Sequence, residues 1–310
     1  MAVGSGFVVQ FINTFIAVYD KNGNLASGFP KSADTFFNLP AGTYTTDPRG
    51  FFDQLNRRFV FTMLTESSPT SGTNTGALLI AASKTADPRG GWWVFNPITI
   101  GNAGECPDYD TLGNDSTWWG PGATKGGFYV GINQFSGSGH CTGASFSGNY
   151  LFLFPKDPIY NGSNFGFWFI TGFNFGGTLV DTLQPANVSN SNVNHPASIF
   201  LVDSKNIDWL GNSTLCSGFI CNGLHVWTIS GPAATPNNPF AFLGGGSGPS
   251  AHGITVGTAH NYSFPPSADE PNGNGGVCKN CVDTGDTRIS GQVQYNAGAL
   301  WGAFETASGT

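Results

Sequence analysis

Apolar and aromatic residues fall in short runs along this chain, separated by clusters of Gly, Asn, Asp, Ser, Thr and Pro. That is the punctuation of short β-strands, and no window sustains the i, i+3, i+4 spacing of an amphipathic helix. The pattern predicts strands at residues 7–12, 15–19, 58–65, 77–83, 92–95, 128–134, 150–154, 167–173, 198–203, 225–230, 292–295 and 300–305. The first two read as a hairpin about Asn13 and Thr14, closed off by the turn that starts at Asp20. The expected class is all-β, with residues 1–310 in a single domain.

An internal echo refines that expectation. Residues 45–52 (T-T-D-P-R-G-F-F) recur forty positions later as residues 85–92 (T-A-D-P-R-G-G-W), and forty residues is one propeller blade. In each octet the Asp carboxylate can bond backbone N–H groups two or three residues on, Pro presets φ, Gly supplies a positive φ, and the last aromatic can pack between blades. Asp47 and Asp87 are therefore expected to build turns rather than to catalyse. The octet resembles the Asp-box of sialidase-type β-propellers with its Gly displaced by one position. With the segments 47–59, 107–113, 131–135 and 283–301, it also resembles a group of secreted β-propeller proteins, where Trp is usual at the place of Phe59. The resemblance implies a single β-propeller and supplies no catalytic residues. At ~40 to 60 residues per blade the chain would form five to seven blades, with five favoured by the grouping of the strands. Pairing the last strands with the first hairpin would close the ring and hide its edges.

Composition narrows the function. The 45 Gly and 19 Pro argue against long helices, and the aromatic fraction of 14% argues against disorder. Nucleic acid is an unsuitable partner, because the net charge is −7 and the bases form no run. No apolar stretch is long enough for a membrane-spanning helix, and the first residues lack a basic, apolar leader, as in a processed chain. Cys106, Cys141, Cys216, Cys221, Cys278 and Cys281 are expected to form three disulfides, which places the protein outside the cell. Proximity pairs Cys216 with Cys221 and Cys278 with Cys281, leaving Cys106 for Cys141. A zinc site built from Cys278, Cys281, His140 and Cys141 is the rival use of these residues. N-x-S/T sequons stand at Asn114, Asn161, Asn187, Asn212 and Asn261, as many as the Asn, Ser and Thr content produces by chance.

The candidate chemistry is acidic and aromatic. Glu105, Asp108, Asp110 and Asp115 form the densest acidic cluster, beside Cys106, Trp118 and Trp119. Asp108, Asp110 and Asp283 could act in pairs as acid and nucleophile or base on a glycosidic bond, with Trp118 and Trp119 stacking on sugar rings and Arg288 gripping a substrate carboxylate. The competing reading makes Asp108 and Asp110 shape a loop, the tryptophans core, and Asp283 and Arg288 a surface turn. Asp108, Asp110, Asn114 and Asp115 could also hold Ca²⁺, while no other cofactor is indicated. The leading expectation is an extracellular module that recognises glycans or a cell-surface matrix, or that packs against its own copies as a homo-oligomer, which the low charge permits. The alternative is a glycoside hydrolase.

Overall fold

A computed structural model of the chain describes residues 1–65, 76–100, 105–115, 124–136, 145–188, 198–204, 216, 220–230, 250–265 and 287–307. The first antiparallel sheet consists of β1 (Ala2–Val3), β2 (Phe7–Phe11), β3 (Phe15–Asp20) and β4 (Lys31–Ser32), followed by the short helix α1 (Ala33–Phe37). A second contains β5 (Thr45–Asp53), β6 (Arg58–Thr65), β7 (Ala77–Ser83) and β8 (Trp92–Val94), with β9 (Ile98–Thr99) also on β7. In the third are β10 (Glu105–Asp115), β11 (Gly127–Ser136), β12 (Ser145–Pro155) and β13 (Trp168–Ile170), with α2 (Lys156–Asn161) between the last two. A small hairpin, β14 (Asn174–Phe175) and β15 (Thr178–Leu179), precedes the fourth sheet. That sheet holds β16 (Gln184–Val188), β17 (Ile199–Ser204), β18 (Cys221–Ser230), β19 (Ser250–Tyr262), β20 (Val293–Asn296) and β21 (Ala299–Trp301) in the order β19-β18-β17-β16-β20-β21. The protein is mostly β, as its punctuation predicted. The hairpin about Asn13 and Thr14 is present, with Ile12 and Phe15 exchanging backbone hydrogen bonds at 2.9 and 3.3 Å.

The long apolar runs are strands buried on both faces. Side chains alternate along a strand, so one run can serve two neighbours. On β6, Phe59, Phe61 and Met63 join Val9, Phe11, Ile16 and Val18 of the first sheet, while Val60 and Leu64 join Leu112, Phe128 and Val130 of the third. β12 repeats the device: Phe152 and Phe154 face the second sheet, and Leu151 and Leu153 face Leu201 and Trp227 of the fourth. The sheets thus stack face to face in chain order. Their first strands also meet: β5 packs against β1 and β10, β10 against β16, and β16 pairs in parallel with β20.

These first strands are the ones the apolar pattern misses. β5 contains Pro48 and Gly50, β10 contains Pro107 and Gly113, and β16 contains Pro185, residues that ordinarily demote a strand. The crowding where sheets converge explains the glycines. A Cβ on Gly113 would lie 2.8 Å from the Pro185 backbone, and one on Gly131 would lie 2.6 Å from the Leu183 carbonyl oxygen. β19 also escaped prediction; its side chains are mostly exposed, so it lacks an apolar run.

Two expectations are corrected. The C-terminal strands pair with β16 rather than with the N-terminal hairpin, because Ala186 and Val188 of β16 share a core with Ile289, Val293 and Tyr295. The two octets do not mark successive sheets either. Residues 45–52 lie within β5, and residues 85–92 make the turn from β7 into β8 of the same sheet. Flanking sequence decides the difference: Phe51 and Phe52 run on into pairing with β6, whereas Gly90 and Gly91 break the second copy.

Candidate functional site

Asp87 is the turn-builder expected of it. Its Oδ1 accepts the Arg89 N–H at 3.0 Å, its N–H donates to Thr85 Oγ1 at 3.1 Å, and Arg89 Nη2 pairs with Oδ2 at 2.6 Å. Trp92 then packs against Phe36 of α1, between the first two sheets. Asp47 has a different task. It sits at φ 52° in a bulge of β5, where the register shifts between Thr46 and Arg49. Asn13 holds the bulge: its Oδ1 accepts the Asp47 N–H at 3.3 Å, and its Nδ2 donates to Thr46 Oγ1 at 3.3 Å.

A second bulge lies directly opposite. In β10 the register shifts between Asp108 and Thr111, and Tyr109 takes φ 50°. A left-handed tyrosine costs roughly 1–2 kcal/mol, and such outliers gather at functional sites. The Tyr109 N–H donates to Asp47 Oδ2 at 2.9 Å, locking the two bulges together. The turn of the chain at Tyr109 sends Asp108 and Asp110 to different surroundings. Asp108 is exposed, with the half-buried Asp47 carboxylate close enough to act on it electrostatically. Asp110 is wholly buried, accepts from Thr62 Oγ1 at 2.8 Å through Oδ2, and lies 3.8 Å from Arg49 Nε through Oδ1.

The cations complete the cluster. Arg49 Nε donates to the Asp110 carbonyl oxygen at 2.6 Å. The guanidinium carbons of Arg49 and Arg288 lie 4.9 and 4.4 Å from the Tyr109 ring centroid, within cation–π range. Partial desolvation and the neighbouring Asp47 carboxylate raise Asp108 to about 6, against the pull of the Tyr109 N–H and Arg288. Burial raises Asp110 to about 7, against Arg49 and the Thr62 hydroxyl. The result is an exposed carboxyl, Asp108, raised toward neutral pH beside the half-buried Asp47 and braced by two guanidiniums on one aromatic ring.

Asp108, Asp110 and Arg288 are thus brought together, with Asp47 added from a residue expected only to shape a turn. The proposed calcium set is not assembled. Asn114 accepts from Lys156 at the far end of β10, and no group of three or more His, Cys, Asp or Glu is placed to hold a metal among the described residues. Glu105 instead accepts from Tyr150 OH at 3.1 Å. The Cys216–Cys221 disulfide is formed as expected, and Cys106 is disulfide-bonded too. Asn161 and Asn261 are exposed sequon residues, whereas Asn187 is buried within β16. Asp283, Trp118, Trp119, Cys141, Cys278, Cys281 and Asn212 lie outside the described residues.

Two buried polar clusters went unread in the sequence. The Asp53 carboxylate of β5 receives Lys156 Nζ at 2.7 Å, Tyr160 OH at 2.9 Å, and the N–H and Nδ2 of Asn56 at 3.0 and 2.9 Å. Asp203 accepts from Trp227 Nε1 at 2.6 Å and bonds His225 Nδ1 at 2.7 Å, with the imidazole stacked 4.2 Å from Phe175. One sequence signal could have located the first strands. Asp-Thr-Leu occurs at residues 110–112, within β10, and at 181–183, just before β16, and Asp-Thr-Arg at 286–288 ends on Arg288. No family model matches this chain, and neither curated proteins nor solved structures give a match.

Proposed function

We propose that this chain is a secreted recognition module, built as a β-propeller of about five blades, that binds glycans of a cell surface or matrix at the Asp47–Asp108 mouth. The radial reading draws on the face-to-face stacking of the sheets and on the succession of first strands β1, β5, β10 and β16 side by side, with β20 in parallel next to β16. Secretion is supported by the Cys216–Cys221 disulfide and the disulfide-bonded Cys106.

The observation that carries the binding reading is the exposed Asp108, with the half-buried Asp47 behind it, beside Arg288 and Tyr109. The carboxyls offer acceptors, the guanidiniums offer fixed donors, and vicinal sugar hydroxyls satisfy both kinds. Hydrolysis is the second reading, favoured by the elevation of Asp108 to about 6, which suits a general acid. The geometry argues against it. A retaining pair stands ~5–5.5 Å apart and an inverting pair ~6.5–9.5 Å, both carboxyls open to the substrate, whereas Asp110 is closed to solvent and the Asp47 carboxylate is engaged by the Tyr109 N–H.

A glycan array probed with the full chain is expected to show saturable binding that Asp108→Asn and Arg288→Ala each weaken at least tenfold, at an unchanged melting temperature and without release of reducing ends. Binding indifferent to both substitutions would remove the site. Release of reducing ends abolished by Asp108→Asn would establish the hydrolase.

A further inference from the structure

The first strands carry a second set of polar groups past the acidic mouth. A cavity of about 290 Å³ lies among the later residues of the same segments, bounded by β1, by residues 50–54 following the Asp47 bulge, by Asn114 of β10, by Asn187 and Val188 of β16, and by Gln292 and Gln294. Its chemistry differs from that of the mouth: no charged side chain lines it, its one ionisable group is the Met1 α-amino, and Gln54, Asn114, Asn187, Gln292 and Gln294 supply five amides.

Two of these amides are fixed in opposite senses. Asn114 Oδ1 accepts from Lys156 Nζ, which can only donate, so the Asn114 NH₂ is left for the cavity. Asn187 Nδ2 donates at 3.4 Å to the Val293 carbonyl oxygen, which can only accept, so Asn187 Oδ1 is left. Both orientations follow from the partners and not from a choice of amide flip. The wall therefore presents one preset donor and one preset acceptor, with three glutamines able to adjust around them. An anion would lean on a cation, and the one at this wall, the Met1 α-amino group, is pushed toward its neutral form by burial and by Arg49; a hard cation would require carboxylates. Hydroxyl groups, which donate and accept at once, match amides of both senses. The volume equals about ten waters at ~30 Å³ each and lies at the lower end of small-molecule pockets.

We infer that this axial cavity is a binding site for a neutral, polyhydroxylated molecule the size of one sugar ring, separate from the acidic mouth. The inference does not rest on the glycan reading of that mouth. It is tested by titrating the full chain calorimetrically with glucose, galactose and N-acetylglucosamine, with glucuronate as the charged control. At least one neutral sugar is expected to bind saturably. Gln294→Leu, at an exposed position, and Asn187→Leu should weaken that binding tenfold or more, while Asp87→Asn, at the turn from β7 into β8, leaves it within twofold. If Asn187→Leu does not fold, Gln292→Leu with Gln294→Leu carries the same test. Absence of binding by every neutral sugar to about 10 mM, equal binding of glucuronate, or persistence of the binding with Gln294→Leu and with Gln292→Leu would each overturn the assignment.

Discussion

Replacing Lys156 with methionine is expected to cost about 3–5 kcal/mol of folding stability, because it strands a carboxylate that has no access to water. The lysine and Asp53 are both fully buried, 2.7 Å apart, and join α2 of the third sheet to β5 of the second. Burial pulls Lys156 down to about 8 against the support of Asp53. Burial also works to raise Asp53, but the Lys156 ammonium and the bonds from Asn56 and Lys156 prevail and hold it below its ordinary range. Four hydrogen bonds converge on that carboxylate, so it stays ionised at neutral pH and needs its counter-charge. Urea unfolding measures the loss. The pair Asp53→Asn with Lys156→Met should cost less than Lys156→Met alone, since it removes the stranded charge along with its partner. A single-substitution cost under about 1 kcal/mol would mean that water reaches this pair.

The second large effect is a dependence on pH. Asp110, raised from its ordinary 3.8 to about 7 by burial, binds its proton more tightly in the folded chain than in the unfolded one. Its contribution to stability is therefore complete below about pH 4 and is lost as pH rises through about 7. Burial raises Asp203 in the same direction, to about 6, against His225 and Trp227. The melting temperature is expected to fall between pH 5 and pH 8 by an amount equivalent to a few kcal/mol. Asp110→Asn, which keeps the shape of the protonated acid, should flatten the fall and leave the share due to Asp203. Parallel curves for the two proteins would show that Asp110 is ionised in the fold throughout.

The middle strands were legible because their physics is local. β6 and β11 are runs rich in β-branched and aromatic residues that bury both faces, β7 is an aliphatic run that does the same, and runs of that kind announce themselves. The first strands of the later sheets were not, since their composition answers to crowding between sheets. Gly113 is present because Pro185 approaches it, and Pro185 is seventy-two positions away. The candidate site was half legible for the same reason. Asp108 and Asp110 stood out as an acidic cluster, but only a bulge at Tyr109 separates one into solvent and the other into the core. Asp47 was misread through its octet. The same D-P-R-G sequence builds a turn in one copy and an acid pair in the other, according to whether a strand or a glycine follows. Lys156 and Asp53 could not be paired from the sequence at all, being 103 residues apart.

The central claim is that the Asp47 carboxylate stands beside Asp108 where the first strands meet and helps to raise it, and carboxyl carbon chemical shifts followed by NMR through a pH titration test it most directly. In the unaltered chain Asp108 should titrate near 6, and in Asp47→Asn its midpoint should drop toward the ordinary aspartate range. An Asp108 that titrates like an isolated surface carboxyl in the unaltered chain, with no response to Asp47→Asn, would contradict the account.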